Sequence, residues 1–446
     1  MPDILSLLQC LLLQISATTM RQLNQIILAM LALNGRVTML GIARWTGAGG
    51  SYRTMGRFFS TVIPWATLFW LFFRKHLWRE NDVYLLAGDE VVVSKAGKQT
   101  YGIDRFFSSL VSKPINGLSF FVLSLVSVSG RQSFPIGIEQ VIKSDAENNR
   151  TLPIKRVKLK EKRGRGRPKG SKNKNKTQVV LTAELLLIQK MINSLFKIVA
   201  NFIPLTYLVV DGHFGHNNAL QMARQVNLHI ISKLRHDSAL CIPYENPDAQ
   251  GRSRRKYGDK LDYRNLPNKY LCKSDIEDGI QTDIYQAILL HKEFAQSLNV
   301  VILVKTNLKT NTHSHVILFS SDLDLKADKI IDYYKLRFQI EFNFRDAKQF
   351  WGLEDFMNLS QTAVTNAANL AFFMVNLSHH LLADFRKHNP NSGIIDLKAY
   401  YRGFRYVHEI LKILPQQPDP ILLAQIFAKL TSLGRIHAVS TDFGPS

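Results

Sequence analysis

The sequence predicts a mixed α/β protein with helical ends. Three observations carry this: a helical stretch over residues 1–80, a middle of short apolar runs broken by Gly, Pro and Ser, and long periodic segments in the last third. With 446 residues, 46% of them hydrophobic, the chain can bury a large core in two to four structural units. Its 57 Lys and Arg against 35 Asp and Glu give a formal charge of +22, which points to a polyanionic partner, nucleic acid first. No uncharged apolar run reaches the ~18 residues of a membrane span, so no membrane association is expected. Ile4 to Ile15 is mostly apolar but follows Asp3 instead of a basic stretch, and reads as a packed helix rather than a leader. Cys10, Cys241 and Cys272 are far apart and form no C-x-x-C pair, which fits a reducing cytoplasm without disulfides or a zinc knuckle.

In chain order, Met20 to Asn34 has apolar residues at helical spacing and stops at Asn34-Gly35. Thr38 to Trp45 and Tyr52 to Ser60, joined by a Gly-rich turn, have helix-turn-helix spacing, with Arg53 and Arg57 on the second helix; an ordinary helical hairpin has the same pattern. Strand-like runs follow at Val83–Ala87, Val91–Val93, Leu118–Val128 and Phe134–Ile142. Thr182 to Asn201 reads as a helix, Leu205 to Val210 as a buried strand, His216 to Val226 as a helix and His229 to Leu234 as a strand. Residues 235–298 lose clear periodicity and look like an insertion, before strands resume at Val300–Thr306 and Val316–Ser320. Asp328 to Phe350 reads as one long helix and Gln361 to Lys387 as another.

Lys155 to Lys176 holds twelve Lys or Arg and one Glu, half of the net charge, with too few apolar residues to fold alone. Arg165-Gly-Arg167-Pro within it resembles an AT-hook, whose extended core fits a narrow A·T minor groove; a generic phosphate-binding loop is the other reading. The run Arg252-Ser-Arg-Arg-Lys256 is either a DNA-tracking loop or a solvated face.

The most informative stretch places Tyr334, Arg337, Glu341 and Lys348 at offsets of three, seven and fourteen. On an uninterrupted helix at roughly 100° per residue, those side chains fall within about 60° of one another. A carboxylate among cations and a phenol suits a metal-binding acid flanked by phosphate-gripping groups; a plain Arg337–Glu341 ion pair is the bland alternative. Asp89 and Asp211 each follow a strand-like run, Tyr84–Gly88 and Tyr207–Val210, where an acid is exposed at a sheet edge. Three converging carboxylates repel unless divalent cations neutralise them, and hard oxygen donors select Mg²⁺ or Mn²⁺. Two such ions activate a water or 3′-hydroxyl for in-line attack on a phosphodiester. Glu90 should point to the opposite face, with Asp104 and Asp346 as weaker substitutes, and His213 and His216 read as structural neighbours.

These residues resemble the D-D-E triad and Y-R-E-K signature of family-four insertion-sequence transposases, with Asp211-Gly-His-Phe214, Ile340 to Arg345 and Gly352-Leu353 in the same pattern. The resemblance spans Val83 to Phe356 and implies a ribonuclease-H-like mixed-sheet core with a mainly β insertion, flanked by helical N- and C-terminal regions. The resulting division is 1–80 helical DNA-binding, 81–235 and 299–360 the two parts of the core, 236–298 the insertion, and 361–446 C-terminal helices. It further implies Asp89, Asp211 and Glu341 as ligands of two Mg²⁺ ions, Tyr334, Arg337 and Lys348 on phosphates or displaced bases, and cut-and-paste movement through hairpinned ends. Double-stranded DNA is then the partner, a homodimer in a synaptic complex is expected, and the bacterial cytoplasm, at the nucleoid, is the expected place of action. A catalytically inactive, transposase-derived DNA-binding protein is the competing reading. Tyr334 lacks the Arg/His cluster of a tyrosine recombinase, and no G-x-x-x-x-G-K-[ST] loop marks an ATP-driven motor.

Overall fold

The computed structural model describes residues 3–47, 50–108, 111–143, 175–200, 202–244 and 256–437. Five helices come first: α1 (Ile4–Leu8), α2 (Ala17–Ala32), α3 (Met39–Trp45), α4 (Tyr52–Ser60) and α5 (Trp65–His76). Ser16, Thr38 and Ser51 accept hydrogen bonds from backbone N–H groups at the starts of α2, α3 and α4, so each start is written locally. Six strands follow: β1 (Tyr84–Ser94), β2 (Asp104–Ser108), β3 (Lys113–Ser127), β4 (Gln132–Val141), β5 (Tyr207–Val210) and β6 (His229–Leu234). Helix α6 (Ala183–Val199) precedes β5, and α7 (Asn217–Gln225) links β5 to β6.

Strands β4, β3 and β1 are antiparallel neighbours, while β5 and then β6 continue from β1 in parallel. This order, with helices crossing between the parallel strands, is the ribonuclease-H-like core. After β6 the chain adds β7 (Leu240–Pro243), β8 (Tyr257–Lys260), β9 (Leu271–Glu277), β10 (Ile280–His291), β11 (Leu298–Asn307) and β12 (Thr312–Ser320). Because β12 pairs with β6, these strands extend the core sheet to twelve strands among the described residues. The sheet therefore runs unbroken from β6 through β12, β11 and β10 to β7 and β8.

Beyond the sheet come α8 (Ala327–Leu336), α9 (Gln339–Gln349), α10 (Gln361–Phe385), α11 (Ile394–Ile413) and α12 (Pro420–Ser432). One sheet face, with Leu85, Ala87, Val209, Ile231 and Leu318, packs under Ile330, Ile331 and Leu336 of α8. The other face and the terminal helices share a larger core, in which Trp65, Phe69 and Phe72 meet Phe373 of α10. Asn366 joins the chain ends: it accepts from Trp65 Nε1 at 2.7 Å and donates to the carbonyls of Phe59 and Thr61. No single helix among the described residues is long and apolar enough to cross a membrane.

Two expectations are corrected. The runs at Val83–Ala87 and Val91–Val93 are one strand, because β3 pairs along the whole of β1, Asp89 opposite Val122 included. Gly88 permits this, since a Cβ there would lie 2.7 Å from the buried Phe121 ring. Residues 328–350 are two helices instead of one. The N–H groups of Phe338, Ile340 and Glu341 bond to carbonyls three residues back, and this tighter winding separates α8 from α9 at Arg337-Phe338.

Candidate active site

Parallel register sets the first two acids side by side. Gly88 of β1 pairs with Val210 of β5, so the next residues along each chain are Asp89 and Asp211. β5 ends there, and Asp211 turns into a short 3₁₀ turn, Gly212–Phe214, its Oδ1 accepting from the His213 N–H at 3.1 Å. Its carbonyl accepts from Ser232 Oγ of β6 at 2.6 Å. Side chains alternate along a strand, so Asp89 shares the face of Leu85 and Ala87 beneath α8. The α8–α9 break lies over that face and supplies Arg337 and Glu341.

Arg337 is the hub. Its Nη1 donates to Asp89 Oδ2 and its Nη2 to Glu341 Oε1 at 3.5 Å. The Asp89 and Arg337 side chains are only 18% and 13% exposed, whereas Glu341 is 45% exposed, so the third acid faces the solvent side. Burial pushes Asp89 up to about 6; Arg337 pulls it down, while Asp211 and Glu341 push it further up. The charges of Asp89, Asp211 and Glu341 all raise Arg337, against the lowering effect of its burial. Tyr334 joins the cluster, its ring centroid 6.0 Å from the Arg337 guanidinium, with burial raising its phenol. Arg337 Nε is buried with no hydrogen-bond partner among the described residues.

Four sequence-predicted residues thus meet, Asp89, Glu341, Tyr334 and Arg337, with Asp211 near enough for its charge to act on Asp89 and Arg337. Asp89 does so from mid-strand, largely buried, and not from an exposed strand end. Lys348 lies two turns beyond Glu341 along α9 and reaches β1 past Asp89; its Nζ donates to Val92 O at 2.8 Å and pairs with Glu354 at 3.3 Å. Arg53 and Arg57 lie exposed on α4. Arg165 and Arg167 lie outside the described residues, as do residues 252–255 of the second basic run. Glu90 points to the opposite face, accepting from Ser119 Oγ. Asp104 accepts from the N–H of Arg105, and Asp346 is buried against Arg345 at 2.8 Å, so neither belongs to the cluster. His216 caps α7 by accepting from the Ala219 N–H, and His213 pairs with Glu184.

Among the described residues no three His, Cys, Asp or Glu side chains stand close enough together to hold a metal as they are, and Asp89 is paired with Arg337. The donor set nevertheless suits a hard cation: three carboxylates whose charges act on one another, one held up to about 6 by burial and its acidic neighbours. A family model described as DDE superfamily endonuclease matches residues 9–297. The chain belongs to the DDE superfamily endonucleases. The match takes in Asp89 and Asp211 and ends before Glu341, which rests on the geometry above. A comparison with curated proteins finds no match. Membership of this superfamily makes DNA the substrate and a divalent metal the usual cofactor. The sequence reading passed over Lys95 and Asp355, whose partners lie more than 250 residues away along the chain.

Proposed function

We propose that this DDE endonuclease is a transposase of the family-four insertion-sequence kind, cutting double-stranded DNA at element ends and joining it to a target. The observation that carries the reading is the convergence of Asp89, Asp211 and Glu341 around Arg337 and Tyr334, in a chain of net charge +22. Asp89, Asp211 and Glu341 would hold two Mg²⁺ ions, with Mn²⁺ able to substitute; such ions activate the attacking oxygen and stabilise the leaving one. Arg337 shields Asp89 in the metal-free chain, and once released from Asp89 its guanidinium supplies donors for a phosphate oxygen. The Tyr334 ring lies beside it, 6.0 Å from centroid to guanidinium, where it can contribute to holding DNA at the site. Arg53 and Arg57 on the second helix of the α3–α4 pair face outward, where a duplex can reach them. Arg165 and Arg167 add minor-groove binding, and Lys348 must leave Val92 to contact DNA.

Holding two ends together calls for a homodimer in a synaptic complex. The exposed apolar face of α11 and α12, with Ile413 81% and Ile421 73% exposed, supports that partner. The free cysteines fit action in a bacterial cytoplasm, at the nucleoid.

The test incubates purified protein with an end-labelled duplex carrying the terminal repeat of its own element, resolving both strands on a denaturing gel. Mg²⁺-dependent nicks followed by hairpin-length products are expected. Binding without cutting in both Mg²⁺ and Mn²⁺ would establish the inactive DNA-binding reading instead.

A further inference from the structure

Residues 350–359, which leave the Glu341 helix, are gripped from three directions. From just beyond the end of β1, six residues past Asp89, Lys95 Nζ donates to the carbonyls of Glu354 and Phe356, both at 2.9 Å, and lies 3.7 Å from the Phe356 ring centroid. From the N-terminal helices, the Val37 N–H donates to Asp355 Oδ2 at 2.9 Å and Arg36 Nε to Oδ1 at 3.2 Å. From α11, Lys398 Nζ donates to Phe350 O at 3.3 Å and lies 5.0 Å from the Trp351 ring centroid. Gly352, at φ +80°, approaches so closely that a Cβ would lie 2.5 Å from Val37 Cβ.

The placement of these grips in the chain matters. Arg36 and Val37 lead directly into α3, the first helix of the pair bearing Arg53 and Arg57. The gripped segment leads directly out of α9, which bears Glu341 and whose last turn is pinned to β1 through Lys348. We propose that Asp355 and Lys95 are positioning residues that couple DNA seating on α3–α4 to the placement of Glu341 against Asp89. A displacement of α3 passes through the Val37–Asp355 hydrogen bond and the Val37–Gly352 contact into the end of α9. Lys95 carries the same segment back to the strand of Asp89. Close-packed contacts of this kind shift together and do not absorb small movements. The inference rests on the proposed roles of α3–α4 and Glu341.

The experiment compares the full-length chain with Asp355→Ala, Asp355→Asn and Lys95→Met on the terminal-repeat duplex. It reads affinity in EDTA, single-turnover cleavage in Mg²⁺, and hydrogen exchange of residues 339–349 with and without DNA. Asp355→Ala and Lys95→Met should keep affinity within about two-fold while cleavage slows about ten- to hundred-fold, since a small misplacement of a reacting group has that effect. Asp355→Asn, which retains an acceptor for the Val37 N–H, should recover most of the rate. DNA should protect residues 339–349 in the unmutated chain and not in Asp355→Ala. Asp355→Ala cutting at the unmutated rate, or losing affinity, rate and thermal stability in step, would overturn the coupling. If the unmutated chain binds and never cuts, the transposase reading falls, and the exchange comparison alone still decides the coupling.

Discussion

Asp89 is largely but not fully buried in the middle of β1, with its Oδ1 accepting from the Glu90 N–H at 2.8 Å and its Oδ2 bound to Arg337. Burial raises its pKa to about 6, so its protonated form favours the metal-free fold. That contribution is full below the ordinary value of 3.8 and is lost as pH rises through about 6, at up to about 1.4 kcal/mol per pH unit. A metal ion needs the ionised form, so its affinity runs the other way. Mg²⁺ affinity followed by calorimetry should rise about ten-fold per pH unit toward pH 6 and then level, and the gain in Tm on adding Mg²⁺ should grow over the same range. An affinity that ignores pH between 5 and 7 would remove Asp89 from the ligand set. Gly88 next to it makes a packing prediction: Gly88→Ala puts a Cβ 2.7 Å from the Phe121 ring and should cost about 1–3 kcal/mol in urea unfolding.

At the scale of elements, the α8–α9 break shows how much a local reading can carry. The spacing of Tyr334, Arg337 and Glu341 was legible because the three remain within two turns, and the structure brings them together around Asp89. The division of residues 328–350 into two helices was not legible, because three-residue hydrogen bonds at Phe338, Ile340 and Glu341 overwind the chain, which apolar periodicity cannot report. Helices α3 and α4 were legible as two short segments on either side of a Gly-rich turn. The continuity of β1 was not, since Gly88, Asp89 and Glu90 have poor strand propensity and only pairing with β3 holds them extended. Asn366 yields the prediction at this scale. Asn366→Ala leaves the Trp65 Nε1 and the carbonyls of Phe59 and Thr61 without their partner, and should lower unfolding stability by about 2–4 kcal/mol. Unfolding indistinguishable from the unmutated chain would mean that the N- and C-terminal helices are not joined there.

Across the whole molecule, charge was readable from composition and sheet order was not. The strand runs could be found singly, but that β12 returns to β6 and extends the core sheet depends on pairing between residues about 90 positions apart. Lys95 and Asp355 escaped notice for the same reason. The charge excess concentrates in residues 155–176, with twelve basic residues against one acidic. DNA affinity should therefore fall steeply with salt, and deleting that segment should flatten the slope of log affinity against log salt while leaving the Mg²⁺ requirement for cutting unchanged. The central claim is that Asp89, Asp211 and Glu341 act together on bound metal to cut DNA. Its most direct test is the single-turnover cleavage rate of the terminal-repeat duplex in Mg²⁺ for the unmutated chain and for Asp89→Asn, Asp211→Asn and Glu341→Gln. Each substitution should abolish cleavage with DNA affinity in EDTA retained; cutting by Glu341→Gln at the unmutated rate would show that the three acids do not act together.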